Sequence, residues 1–131
     1  MVGSGPETRV LVVDADARSL EMLAVALLDS GFAVRTAASA AEALAEARKR
    51  PPALILSDVA IPGMDGFQLC AALRGDPDLG SVPVVLLSGG PGGGQADRGL
   101  RERGATAGAS DYLTKPIDLP RLVQVVRRLS A

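Results

Sequence analysis

Apolar residues along this chain follow two alternating rhythms. Four short runs are nearly continuous: residues 10–13 (Val-Leu-Val-Val), 53–57 (Ala-Leu-Ile-Leu-Ser), 84–87 (Val-Val-Leu-Leu) and 111–114 (Asp-Tyr-Leu-Thr). Runs this short, bounded by Gly, Pro or acidic residues, read as strands buried on both faces. Residues 33–37 read as one more short strand. Between the strands the period lengthens. Leu20, Leu23, Ala24 and Leu27 recur at i, i+3, i+4, i+7 and mark an amphipathic helix, with Gly31 as its stop. Ser39 and Glu42 form a capping-box pattern that opens an Ala-rich helix ending before Pro51-Pro52. Leu69, Cys70 and Leu73 give the inner stripe of a third helix, and residues 75–82, with Pro77 and Gly80, a turn-rich connector. Asp118 caps a last helix whose apolar face is Leu119, Leu122, Val123 and Val126.

This alternation predicts five βα units: an α/β domain with a parallel five-stranded sheet and helices on both faces. The pattern does not fix strand order. At 131 residues the chain holds one domain, expected over 8–131 behind a disordered segment 1–7.

Charge and composition exclude several functions. With 14 basic against 15 acidic residues and 2% aromatics, there is neither a basic footprint nor a stacking platform for nucleic acid. Cys70 stands alone, so no internal disulfide forms, which fits a reducing cytosol. The first residues carry no signal-peptide pattern, and no apolar stretch approaches a membrane span, so a cytoplasmic location is expected. The chain has no histidine. That excludes any Ser-His-Asp or Cys-His site and any His metal ligand within it.

The chemistry sits where the strands end. The first strand runs into Asp14-Ala15-Asp16 and the third into Asp58, followed by Val59-Ala60-Ile61-Pro62-Gly63-Met64-Asp65-Gly66. The fourth ends in Ser88, and the fifth in Lys115-Pro116. In an open parallel sheet the C-terminal strand ends share one edge, where ligands bind. Two acids, a hydroxyl and an ammonium therefore converge. Taken singly, each has a bland reading: Asp58 as a turn or helix cap, Ser88 as a strand-end hydroxyl, Lys115-Pro116 as a solvated turn. The conjunction, in this order, is what is specific.

In that order these residues resemble the receiver domain of two-component response regulators, over about residues 8–130. The resemblance implies a flavodoxin-like, three-layer (βα)5 fold with strand order 2-1-3-4-5. It implies that Asp58 accepts a phosphoryl group from a partner histidine kinase or histidine phosphotransfer protein, with Ser88 and Lys115 assisting. It implies Mg²⁺ on Asp14, Asp58 and the backbone carbonyl of Ala60. Ser88 and Tyr112 would form the switch, and helix four, strand five and helix five the output face, which allows a homodimer. Helix one and the loop after Pro116 would dock the phosphodonor. No enzymatic activity is implied beyond the domain's own phosphorylation and dephosphorylation.

One position departs from the pattern. Ala15 stands where the family usually has the second of two adjacent acids. Mg²⁺ binding should be weak, unless Asp16 compensates. Two alternatives stay open. The domain could be a pseudo-receiver that docks without phosphorylation. Or Asp14 and Asp16 could be nucleophile and general acid/base of a haloacid-dehalogenase-type phosphatase, although the acidic pair such a site needs beyond Lys115 is missing. The glycine run at 89–94 lacks the phosphate-loop pattern and is expected to be a mobile insertion. It falls in the stretch between Ser88 and Lys115, which is longer than usual in receivers.

Overall fold

The computed structural model describes residues 8–88 and 95–131. The expectations for 1–7 and 89–94 fall outside the described residues. Elements alternate without exception: β1 (Arg9–Val13), α1 (Ala17–Asp29), β2 (Ala33–Ala37), α2 (Ala40–Lys49), β3 (Leu54–Asp58), α3 (Gly66–Arg74), β4 (Val84–Ser88), α4 (Gln95–Ala107), β5 (Asp111–Thr114) and α5 (Leu119–Leu129). All strand pairs are parallel, and the order is β2-β1-β3-β4-β5. The chain thus has the doubly wound, flavodoxin-like topology that its sequence implied.

Period-two alternation sorts the strand side chains between two cores. Leu11, Val13, Ile55, Val84 and Leu86 join the small face of α2 (Ala40, Ala43, Ala47) and the stripe Leu69, Cys70, Leu73 of α3. Val10, Val12, Leu54, Leu56, Val85 and Leu87 face the other way, against Leu23 and Leu27 of α1 and Leu122, Val125 and Val126 of α5. On α5 the fully covered stripe includes Val125, and Val123 is only half-buried.

Caps fix where the helices begin. Asp16, Ser39, Asp65 and Asp118 each accept from a backbone N–H of the first turn. The capping box expected at Ser39 is displaced by one residue, because the Glu42 carboxylate takes the Ala38 N–H at 2.6 Å. A complete box instead opens α3, with Asp65 and Gln68 bonded reciprocally at 2.8 and 2.9 Å. Gly31, at φ +95°, ends α1 as expected.

Two features hold the ends of the sheet. At the N-terminal edge, Arg74 closes α3 and donates to three carbonyls: Gly80 at 3.0 Å, Val82 at 2.8 Å and Gly108 at 3.0 Å. One guanidinium thereby joins the end of α3, the approach to β4 and the α4–β5 turn. At the opposite edge, the turn after β3 is so tight that Gly66 N–H donates to Val59 O at 2.7 Å. A Cβ on Gly66 would lie 2.8 Å from Asp58 O and 3.0 Å from Val59 Cα.

Gly66→Ala should therefore force the β3–α3 turn apart and destabilise the fold by ~1–3 kcal/mol, as overpacking against backbone does. Gly99, in α4, meets nothing within 4 Å. Gly99→Ala should stabilise by up to ~1 kcal/mol through helix propensity. Urea unfolding of the two variants measures both. Equal effects would refute the steric account of Gly66.

Candidate functional site

Three main-chain bonds set the site before any side chain acts. Asp14 N–H donates to Ala37 O at 3.1 Å, Val59 N–H to Leu87 O at 2.9 Å and Lys115 N–H to Ser88 O at 2.7 Å. Each carries strand register one residue past a strand end, so the functional residues leave the sheet at one level. Asp14, Asp58 and Ser88 are buried polar residues, and Lys115 is half-buried.

Lys115 gathers the acids. Its Nζ lies 3.4 Å from Asp14 Oδ2 and 3.5 Å from Asp58 Oδ1. The Lys115–Pro116 peptide bond is cis. Burial pushes the Asp58 carboxyl above the usual aspartate range; Lys115 pulls it down, and the Asp14 charge pushes it up again. The balance leaves it raised. Ser88 lies beside Thr114, one residue beyond Leu87, the register partner of Asp58. Behind Asp58, Ser57 Oγ donates to the Asp58 carbonyl at 2.9 Å.

Asp16 does not join this cluster. Its side chain accepts from Arg18 N–H at 3.0 Å and from Ser19 Oγ at 3.3 Å, so it is occupied in capping α1. Only its backbone N–H turns inward, donating to Asp14 Oδ1 at 2.9 Å. The phosphatase reading needs the Asp16 carboxyl as an acid beside Asp14, and the cap takes that carboxyl away. Ala15 is exposed. Ala60 lies in the loop two residues past Asp58.

These donors fit a hard cation in a minimal way. Mg²⁺ takes oxygen ligands and is commonly held by one or two carboxylates, with waters and phosphate oxygens completing the shell. Asp14, Asp58 and the Ala60 carbonyl match that chemistry. Among the described residues, no group of three or more His, Cys, Asp or Glu is placed to hold a metal.

Tyr112 is buried in the core between β5 and α4. The Arg101 guanidinium lies 5.2 Å from its ring centroid and donates to its carbonyl at 3.2 Å. Gly104 brings α4 close: a Cβ there would stand 3.4 Å from the Tyr112 ring and from Leu86. Arg103, two residues from Arg101, pairs with Asp65 at 3.3 Å and lies 4.5 Å from the centroid of the Phe67 ring. Sequence reasoning missed both arginines. In a charged, weakly apolar helix they carry no periodic signal.

Comparison with known proteins agrees with this geometry. The response regulator receiver domain family matches residues 10–127. Response regulator PleD of Caulobacter vibrioides is 43% identical over 122 residues, which are 93% of this chain and 26% of PleD. The DNA-binding response regulator MtrA of Mycobacterium tuberculosis is 37% identical over 119 residues, 91% of this chain and 49% of MtrA. This chain thus spans about a quarter of PleD and half of MtrA. Among solved structures, chemotaxis response regulator CheY4 of Vibrio cholerae superposes with TM-score 0.83 at 31% identity, covering 94% of this chain and 98% of CheY4. The receiver domain of NtrX from Brucella abortus gives TM-score 0.81 at 30% identity, covering 92% and 97%.

A parallel sheet with two acids, a hydroxyl and a lysine at one edge defines a phosphoryl-accepting signalling domain. The chain belongs to the response regulator receiver domain family. Receiver domains are in general phosphoacceptors that bind Mg²⁺ at an acidic pocket and interact with histidine kinases or phosphotransfer proteins. Among the described residues, no helix is long and apolar enough to cross a membrane.

The raised Asp58 value has a consequence for stability. Above it, the carboxyl is ionised in both states, but burial penalises the ion only in the folded one. Below the unfolded value of ~3.9 it is protonated in both, and the penalty vanishes. Asp58 therefore destabilises the metal-free fold at neutral pH. In EDTA, Asp58→Asn should raise the urea midpoint at pH 7, and the gain should shrink as pH falls toward ~4. A variant less stable than the parent at pH 7 would contradict this.

Proposed function

We propose that Asp58 is the phosphoacceptor of this domain and that Ser88 and Lys115 assist the transfer. The observation that carries the reading is the Lys115 ammonium held between two buried carboxylates on neighbouring strands. A carboxylate oxygen of Asp58 attacks phosphorus. A new O–P bond forms, the P–N bond to the donor histidine breaks, and the imidazole leaves and takes up a proton. Lys115 faces the charge spread over the phosphoryl oxygens, and the Ser88 hydroxyl donates to one of them. Bound Mg²⁺, held by Asp14, Asp58 and the Ala60 carbonyl, would neutralise phosphoryl charge there.

The donor protein would dock on α1. Met22, Val25 and Leu28 are about half exposed, and among the described residues they are the large apolar side chains most open to solvent. Met22, Val25 and Ala26 line a shallow depression with Leu119 of α5, bordered by Arg18, Glu21 and Asp29. That is an apolar patch with a charged rim, on the helix whose first turn starts at the Asp14 edge of the sheet. The output would leave by the α4–β5–α5 face, where Arg101, Thr114, Ile117 and Arg121 border a cavity of about 220 Å³. Ser88 and Tyr112 would link acceptor and output, since they lie on adjacent strands two register positions apart.

Incubation with a small acyl phosphate and Mg²⁺ should label Asp58 alone, mapped by mass spectrometry after trapping. Val25→Glu should slow transfer from a phosphohistidine protein and leave labelling by the small donor unchanged. Label on Asp14 would favour phosphatase-like chemistry. No label under any metal would favour a docking module that works without phosphorylation.

The two positions after Asp14 should separate cleanly. Ala15→Asp should tighten Mg²⁺ by at least about tenfold, since even an outer partner of a metal site is typically worth ~10–100-fold. It should also speed labelling of Asp58. Asp16→Ala should cost ~1 kcal/mol of stability through the lost cap and leave Mg²⁺ affinity unchanged. Calorimetric titration and thermal unfolding read the two effects. Weaker Mg²⁺ binding in Asp16→Ala would show that this carboxylate reaches the metal.

A further inference from the structure

A second cavity, of about 220 Å³, lies at the opposite edge of the sheet from Asp58, where β1 begins and α2 ends. Its lining includes Arg9, Arg35, Lys49 and Arg50, with Glu46 as the one acid. Leu11 and Pro52 form part of its apolar wall. The space has a local cause. Arg9, Leu11 and Arg35 share the strand face under α2, where Leu11 is the register partner of Arg35. The fully buried residues α2 presents to that face are alanines, Ala40, Ala43 and Ala47, with Leu44 only partly buried beside them. After Ala47 the helix has no apolar side chain to fill the space beneath its last turn.

Part of this charge has an ordinary explanation. Lys49 lies in the last turn of α2 and complements the helix dipole. One Arg9 terminal nitrogen donates to Pro51 O at 2.9 Å, which fixes that guanidinium. Arg35, on the edge strand β2, also keeps that edge from pairing. The excess remains. Four cations against one carboxylate leave three positive charges around one hollow, on a chain whose net charge is −1. Among the described residues none of the four makes an ion pair, and the enclosed Arg9 Nε–H has no acceptor. Elsewhere three exposed arginines are ion-paired, Arg48 with Asp76, Arg103 with Asp65 and Arg128 with Asp111, while among the described residues Arg18, Arg121 and Arg127 make no ion pair. What sets the hollow apart is that four unpaired cations share it.

We propose that this cavity binds a small, compact phosphate-type anion, with a diphosphate group as the recognised unit. Arginine forks match phosphate oxygens, and a diphosphate answers the charge excess better than a single carboxylate does. Size limits the ligand. The cavity holds the volume of about seven waters, below the ~300–1,000 Å³ of sites that enclose drug-sized molecules. It would take the diphosphate of a nucleotide with the base left outside, or inorganic pyrophosphate whole. The site is separate from the phosphoacceptor edge and does not depend on the reading of Asp58.

The test is an amide-resolved NMR titration of the whole chain with inorganic pyrophosphate, at constant ionic strength held with chloride. Saturable shifts are expected around residues 9–11, 35 and 46–52, and not around Asp58 and Lys115. Arg35 and Arg50 are exposed, so Arg35→Gln and Arg50→Gln should fold normally. Each should weaken binding by about tenfold or more, the worth of one charge-assisted contact. Lys115→Ala should leave this binding unchanged. A parallel titration with ADP distinguishes sources: tighter binding than pyrophosphate identifies a nucleotide, and equal binding identifies the diphosphate alone. Shifts that never saturate, that chloride reproduces, that centre on Lys115, or that survive in the Arg35→Gln, Arg50→Gln double variant would overturn the proposal.

Discussion

One lysine reaching back across the sheet is the interaction around which the site is organised. Neighbouring strands lie about 4.8 Å apart, so β5 stands roughly 10 Å from β3 and 14 Å from β1. Only a long, flexible side chain spans those intervals, and Lys115 does so to meet both Asp58 and Asp14. Two buried carboxylates on adjacent strands repel each other. The ammonium makes their coexistence tolerable without removing their burial penalty, so the Asp58 carboxyl stays raised. The parallel order, the short buried strands and the bonds that prolong register past each strand end serve this convergence. If one strand slipped by a residue, the acid or the lysine would turn to the wrong face.

Much of this was legible in the sequence because it rests on periodicity. Continuous apolar runs and i, i+3, i+4 stripes gave five βα units, and strand ends named Asp14, Asp58, Ser88 and Lys115. Strand order came only from resemblance, since apolar runs carry no information about neighbours. Local polar choices were harder to read. Glu42 reaches Ala38 in place of Ser39, while the complete box opens α3 at Asp65 and Gln68. Neither outcome is visible in a four-residue pattern that both segments satisfy. Nothing in the sequence pattern singles out Arg74, Arg101 and Arg103, because their partners are backbone carbonyls, rings and, for Arg103, the Asp65 carboxylate, all brought close only by folding.

Asp16 shows how little displacement changes a residue's work. One position nearer to Asp14 it would stand where receivers usually carry their second acid, at a residue that is exposed here. Where it stands, the chain has already turned into α1, and the carboxylate meets the free N–H groups of the first turn. Its backbone N–H meanwhile takes one oxygen of Asp14. The same residue thus withholds a negative charge from the site and occupies a lone pair on the acid that remains. Register along the chain, as much as the alanine beside it, is what keeps the Asp16 carboxylate in the cap.

Arg74 carries an implication for how the domain moves. A guanidinium bonded to Gly80, Val82 and Gly108 is satisfied only while all three carbonyls keep their relative places. The end of α3, the approach to β4 and the turn into β5 are therefore tied through one side chain. Any rearrangement that moved one of these elements away from the other two would break a hydrogen bond to a charged, part-buried donor, at a cost of ~1.5–3 kcal/mol. The guanidinium is thus a toll on relative movement at this edge of the sheet.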